Sequence, residues 1–255
     1  MKFKNKIIKE IKETKILLHN IPTLLVTLFV VSVICMNILA NKTLVQNKWI
    51  AIDGGILISW LSFLCMDIIT KYFGLKASNT ISILAAIINL LTCFIFYITS
   101  IIPSNANNYD ALNSVLGGSW FILLSSTIAF LSSAFINNII NTLINNLLKN
   151  KTNNKTTFMV SSYTSTFIGQ FLDNFIFSIL VFVCFAPIFW NGFHWTILQC
   201  LTCAITGAIL ELILEILFSP IGYKIITKWE ENNLGSQYFN LIRKENNYES
   251  INHRN

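Results

Sequence analysis

The stretch ILLHNIPTLLVTLFVVSVICMNILAN, residues 16–41, contains no Lys, Arg, Asp or Glu. It is longer than the roughly 20 apolar residues with which an α-helix crosses a bilayer, so its reading decides the class of the chain. A longer interval repeats the signal: between Lys76 and Lys149 the single charged residue is Asp110. Working outward gives six apolar segments, at Pro22–Ala40, Ile50–Thr70, Thr80–Ile102, Ser119–Ile140, Phe158–Phe185 and Thr196–Pro220. Their Ile, Leu and Phe runs lack the strict alternation of a membrane β-barrel, and their length is the helical signature. Composition agrees, because 54% of the 255 residues are hydrophobic and 12% are charged. A soluble domain carries roughly 25% charged residues. Soluble enzymes, disordered chains, collagen-like sequences and secreted disulfide scaffolds are thereby excluded.

The basic residues set the orientation. Lys2, Lys4, Lys6, Lys9, Lys12 and Lys15 precede the first segment; Lys71 and Lys76 follow the second. Lys149, Lys151 and Lys155 lie between the fourth and fifth, and Lys224, Lys228, Arg243, Lys244 and Arg254 follow the sixth, whereas Lys42 and Lys48 alone fall on the other side. The positive-inside bias then places both termini in the cytoplasm. The expected architecture is an all-α membrane protein with six transmembrane helices, multi-pass in a bacterial inner membrane. Residues 1–21 form a basic cytoplasmic N-terminus, 22–227 the membrane domain and 228–255 a polar cytoplasmic tail that is too polar to pack alone. The N-terminal lysines read as a topogenic, lipid-facing cluster and not as a nucleic-acid site. The first apolar stretch exceeds a signal-peptide core and lacks a small-x-small cleavage site, so it is kept as a span. Pro22, Pro103, Pro187 and Pro220 stand at or near segment ends. Cys35, Cys65, Cys93, Cys184, Cys200 and Cys203 all fall within segments, as small apolar fillers. No metal or cofactor is expected.

Four carboxylates, Asp67, Asp173, Glu211 and Glu215, fall at membrane depth, with no Lys, Arg or His at comparable depth to balance them. Such groups are costly there and mark a substrate, a cavity or a partner. Either they hold protons or something from outside the protein neutralises them. In the fifth segment Ser162, Thr166, Gly169, Gln170, Asp173 and Phe177 share one helical face. A seam that packs helices explains its small residues, but not Gln170 beside Asp173. In the second segment Gly55, Ser59, Ser62 and Thr70 form a comparable face flanked by Asp67. Asp67 there is either a functional group or a solvated interfacial carboxylate. Ser59 precedes Asp67 by the same interval as Ser165 precedes Asp173, a hint of an inverted repeat. Glu211 and Glu215 stand one turn apart, and like charges at that spacing repel, so a ligand cation, a proton or a neighbouring helix must hold them. Asp53 reads as a cap or solvated group, and Asn137, Asn141 and Asn145 as compositional bias or the lining of an inner mouth. Motifs of metalloproteases, phosphate-binding loops and serine hydrolases are absent, so the protein is not read as an enzyme.

Two stretches resemble the queuosine-precursor transporters, also called the vitamin uptake transporter family. The first runs from Asp53-Gly-Gly through Ser59, Phe63 and Asp67 to Lys71-Tyr-Phe-Gly74; the second is Ser165-Thr166-Phe-Ile-Gly-Gln170-Phe-Leu-Asp173-Asn-Phe-Ile-Phe177. Asn37-Ile-Leu-Ala-Asn-Lys42 and Pro220 also fit, and the likeness covers roughly residues 25–225. It implies a six-helix protein similar to the substrate-binding subunits of energy-coupling-factor transporters. The implied activity is uptake of 7-deazaguanine precursors of the tRNA nucleoside queuosine. On this likeness Asp67, Gln170 and Asp173 are the main substrate contacts. Ser165, Thr166 and Asn37 support them and Phe63 or Phe177 stacks on the ring; Glu211 and Glu215 are candidate contacts from their depth alone, with hydrogen bonding to a neighbouring helix as the alternative. Lys71 stands where the family commonly has an acidic residue, Glu211 near a usual lysine and Ser161 near a usual arginine, which leaves this site more acidic and suits a cationic ligand. The expected partners are the deazapurine base and the lipid bilayer. The first segment carries no small-x-x-x-small docking motif, so an energising complex is not expected. Two other functions fit the same carboxylates: a proton- or cation-coupled transporter of organic cations, and a binding subunit of a multi-component importer.

Overall fold

The computed structural model describes residues 2–39, 42–46, 51–103, 112, 113, 116, 120–149, 151–189, 192 and 194–243. Helix α1 (Lys2–Asn20) meets α2 (Thr23–Leu39) at a bend of 104°. Two reasons for the break are local. Pro22 has no N–H for the ladder, and Asn20 Nδ2 donates to the Ile16 carbonyl at 2.8 Å, closing α1. A hairpin of β1 (Thr43–Gln46) and β2 (Ala51–Asp53) leads into α3 (Ile56–Phe73) and α4 (Leu75–Ile101). Then come α5 (Trp120–Leu148), α6 (Asn154–Ser178) and α7 (Ile197–Glu231). Asn153 caps α6 by accepting from Thr156 N, and Thr196 with Gln199 forms a capping box on α7.

Five helices are long and apolar enough to cross a membrane, and six if the bent α1–α2 pair counts as one span. They are α3, α4, α5, α6 with its extension to Ile188, and α7. The expected boundaries shift most in three places. The second span starts at Ile56 instead of Ile50, because the hairpin takes up Ala51–Asp53. The fourth runs on to Leu148, where Asn141 and Asn145 find partners inside the bundle. The sixth does not close at Pro220 but continues to Glu231, since Gly222 and Ile226 beyond the proline are buried. Pro187 also sits within helix: Ile179–Phe185 widens into a π-helical turn, and Ala186 N reaches the Val181 carbonyl. That wider turn accommodates a proline that cannot donate to the regular ladder.

Helix α3 is the hub, packing against α2, α4, α5, α6 and α7. Every residue from Ser62 to Thr70 is buried. The outer helices instead expose unbroken apolar faces, such as Leu90, Leu91, Phe94 and Ile95 on α4 and Ile209, Ile213, Ile216 and Leu217 on α7. In water such faces would be aggregation sites; facing acyl chains they are what a membrane protein needs.

At the lysine-rich end the chain beyond Glu231 packs instead of fraying, against the expectation for a polar tail. Gly235, with φ +74°, turns the chain back so that Phe239 stacks on Phe73 at 5.7 Å and Tyr238 is buried. The Tyr72 hydroxyl lies 2.9 Å from both the Trp229 and Leu234 carbonyls. These few aromatic residues suffice because α3 and α7 supply the rest of the cluster. Lys48, Asp110, His253, most of the Pro103–Gly118 loop and the tail beyond Arg243 lie outside the described residues, as does the side chain of Asp53.

Candidate functional site

Asp67 sits at the middle of the buried run of α3, with no exposure. It is therefore no solvated interfacial carboxylate. Asn137 Nδ2 of α5 donates to Oδ1 at 2.9 Å, and Ser165 of α6 approaches the same oxygen at 3.4 Å. Ser162 donates to Oδ2 at 2.5 Å and Thr166 at 3.2 Å. A carboxylate accepts at about four positions, so α5 and α6 together wrap its acceptor capacity. Glu215 of α7 joins from the far side, its Oε1 2.6 Å from Ser162 Oγ. It too has no exposure, and its Oε2 meets no donor.

A second polar layer lies farther along the same helices. Ser133 of α5 donates to Asp173 Oδ1 at 3.0 Å. Ser59 donates to Glu211 Oε1 at 2.5 Å, and Asn174 Nδ2 reaches Oε2 at 3.4 Å. Glu211 and Glu215, one turn apart, thus have separate partners, which relieves the repulsion expected from their spacing. One turn past Thr166 on α6 is Gln170, fully buried, with neither Nε2 nor Oε1 hydrogen-bonded. Asn137 Oδ1, whose amide nitrogen holds Asp67, also meets no donor.

Of the residues singled out from sequence, Asp67, Ser165, Thr166 and Glu215 form one cluster. Gln170 adjoins it along α6, as do Asp173 and Glu211 in the second layer. Phe63 is buried against α6: a Cβ built on Gly169 would lie 2.7 Å from its Cε1. Two others stand elsewhere. Phe177 packs with Phe121, Val181 and Phe182 in a separate aromatic group, and Asn37 of α2 accepts from Ser126 of α5.

Of the two readings of the α5 asparagines, compositional bias or the lining of a polar path, their partners favour the second. Lys71 Nζ donates to Asn145 at 2.6 Å, Asn145 to Asn141 at 2.5 Å, and Asn141 to Ser165 at 3.3 Å. A polar chain therefore runs from the lysine-rich end to Asp67. Its sequence signal was the four-residue step of Ser133, Asn137, Asn141 and Asn145, one face of one helix. Ser162, seen in the polar stripe of α6, emerges as the bridge between two carboxylates.

Close approach at Gly169 holds these layers in register. Its would-be Cβ also lies 3.1 Å from Asn137 Cβ. Gly169→Val is expected to push α6 off α3 and α5 and to destabilise the protein by about 1–3 kcal/mol. A thermal melt of the detergent-solubilised protein followed by size exclusion measures the loss.

The family described as "Putative vitamin uptake transporter" matches residues 53–225, more than half of the chain. That interval contains Asp67, Ser162, Gln170 and Glu215 together. No curated protein and no solved structure gives a match.

Proposed function

Because this chain belongs to the vitamin uptake transporter family, we propose that it imports a 7-deazaguanine precursor of queuosine. It does so as a multi-pass protein of the bacterial inner membrane, with both termini cytoplasmic. The observation that carries this reading is the set of buried atoms without partners: Gln170 Oε1 and Nε2, Asn137 Oδ1 and Glu215 Oε2. Three acceptors and one amide donor call for a ligand edge rich in donors with one acceptor. A 7-deazaguanine presents that edge, an O6 acceptor beside the N1–H and amino donors. Gln170 pairs with O6 and N1–H through its amide, and a carboxylate takes the amino group. Phe63 stacks on the ring, and an aminomethyl substituent finds its counter-charge in Asp67 or Asp173. Ser165, Thr166 and Glu211 position these contacts. Phe177 and Asn37 belong to the helix packing around them.

The test is a strain that cannot make queuosine but retains the later tRNA-inserting steps. Supplied with 7-aminomethyl-7-deazaguanine and this gene, it is expected to regain queuosine in its tRNA; without the gene it should not. No recovery, together with a change in sensitivity to organic cations, would favour a cation transporter instead.

A further inference from the structure

The bridge between the two buried carboxylates holds fewer hydrogens than its contacts need. Ser162 Oγ lies 2.5 Å from Asp67 Oδ2 and 2.6 Å from Glu215 Oε1. A serine hydroxyl brings one hydrogen. Given to one carboxylate, it leaves the other oxygen pair in contact without a hydrogen between them, which is repulsive. The second hydrogen must come from a carboxyl group.

The surroundings supply no substitute charge. Facing the pair are Cys65 of α3, Asn137 of α5, Tyr163 of α6, whose hydroxyl pairs with Ser219, and Glu211 one turn away on α7. None is a cation. Among the described residues the basic group linked to the cluster is Lys71, which reaches it only through Asn145 and Asn141. Independently, Glu215 Oε2 is fully buried without a donor, so the group lacks what would stabilise it as an anion. Asp67, by contrast, is served by Asn137 and Thr166 as well as by Ser162. The distribution of donors makes Asp67 the anion and Glu215 the acid.

We propose that the Asp67–Ser162–Glu215 bridge is a proton-binding site and that its proton, carried on Glu215, is the ion that drives uptake. Two unneutralised carboxylates at membrane depth are costly. One proton and one monocationic ligand together make the pair neutral, so the loaded site crosses its conformational change carrying both. The proton comes from water on the acid side, binds a Glu215 carboxylate oxygen and is released to water on the side of lower proton concentration; no electrons move. The coupling rests on the uptake reading above, whereas the proton site itself does not.

The experiment has two arms on the full chain in liposomes. Without substrate, infrared difference spectra near neutral pH are expected to show the carbonyl stretch of a neutral carboxylic acid. The band should disappear in Glu215→Gln, persist in Glu211→Gln and shift in Ser162→Ala, which removes its acceptor. A band unchanged in Glu215→Gln overturns the proposal. With labelled 7-aminomethyl-7-deazaguanine, accumulation should rise by about tenfold per pH unit of acid-outside gradient, as one-proton coupling requires. Glu215→Gln should still exchange labelled for unlabelled compound but lose the response to the gradient. A retained response overturns the coupling. Glu215→Asp, which keeps a carboxyl, is expected to restore part of the response and guards against a fold defect in the glutamine variant. If the band behaves as expected but the wild type takes up none of this compound, the substrate assignment fails while the proton site stands.

Discussion

Asp67→Asn is expected to cut uptake by at least about 100-fold, the largest effect of any single substitution in this protein. The reasoning starts from its donors. Asn137, Ser162, Ser165 and Thr166 all converge on the two carboxylate oxygens. An amide at this position replaces one acceptor by a donor, so an NH₂ group would face hydroxyls that point at it. It also removes the one charge the cluster is built to hold. Hydrogen bonds to a charged group are worth roughly 1.5–3 kcal/mol each, and each 1.4 kcal/mol is about tenfold. Initial uptake rates in liposomes, normalised to folded protein, give the measurement. Asp173→Asn serves as the comparison. Asp173 is only partly buried, so its loss should be smaller, about tenfold. Equal effects at the two positions would show that burial at Asp67 is not what matters.

Gln170→Leu should move stability and activity in opposite directions. A fully buried amide with both polar atoms unserved holds desolvation that folding does not recover, about 1–3 kcal/mol. Leucine of similar size removes that penalty. The thermal midpoint of the substrate-free protein should therefore rise, by roughly 2–4 °C per kcal/mol for a chain of this size. Uptake should fall by about 10–100-fold, because the bound ring loses its pairing edge. Scanning fluorimetry and the tRNA recovery assay read the two effects. A variant that is both less stable and less active would mean that Gln170 is a structural residue. Such opposed behaviour is what distinguishes a binding residue from a packing residue.

Much of the bundle was legible from where charges are missing. A bilayer-length interval without Lys, Arg, Asp or Glu leaves helix as the way to satisfy the backbone. The α6 stripe was equally legible, since helical periodicity puts Ser162, Thr166, Gln170 and Asp173 on one face. What could not be read was which stripe faces which. Asp67 stands near the end of its apolar segment, where a functional group and a solvated carboxylate read alike, and the five helices packed on α3 are what hold it dry. The α5 asparagines looked like bias because their partners, Asp67, Ser165 and Lys71, lie on other helices. Phe177 shared the stripe by angle but sits too far along α6, among the aromatic residues near the π-helical turn. Helical phase is a local property; depth and pairing are tertiary.

The central placement of α3 has a consequence for how the protein is made. Asp67 leaves the ribosome 70 residues before Asn137 and 95 before Ser162. While those helices are still unsynthesised, the carboxylate has none of the partners that surround it in the finished bundle. A lone carboxylate within an inserting helix costs up to about 2.5–3.5 kcal/mol. The hub of the fold therefore enters lipid at a cost that its later partners have not yet offset. It must wait beside the insertion machinery, or half-inserted at the surface, until α5 and α6 arrive to receive it. Substitutions in those later helices that remove Asn137 or Ser162 should accordingly reduce the yield of correctly inserted chain, even where the mature protein would tolerate them.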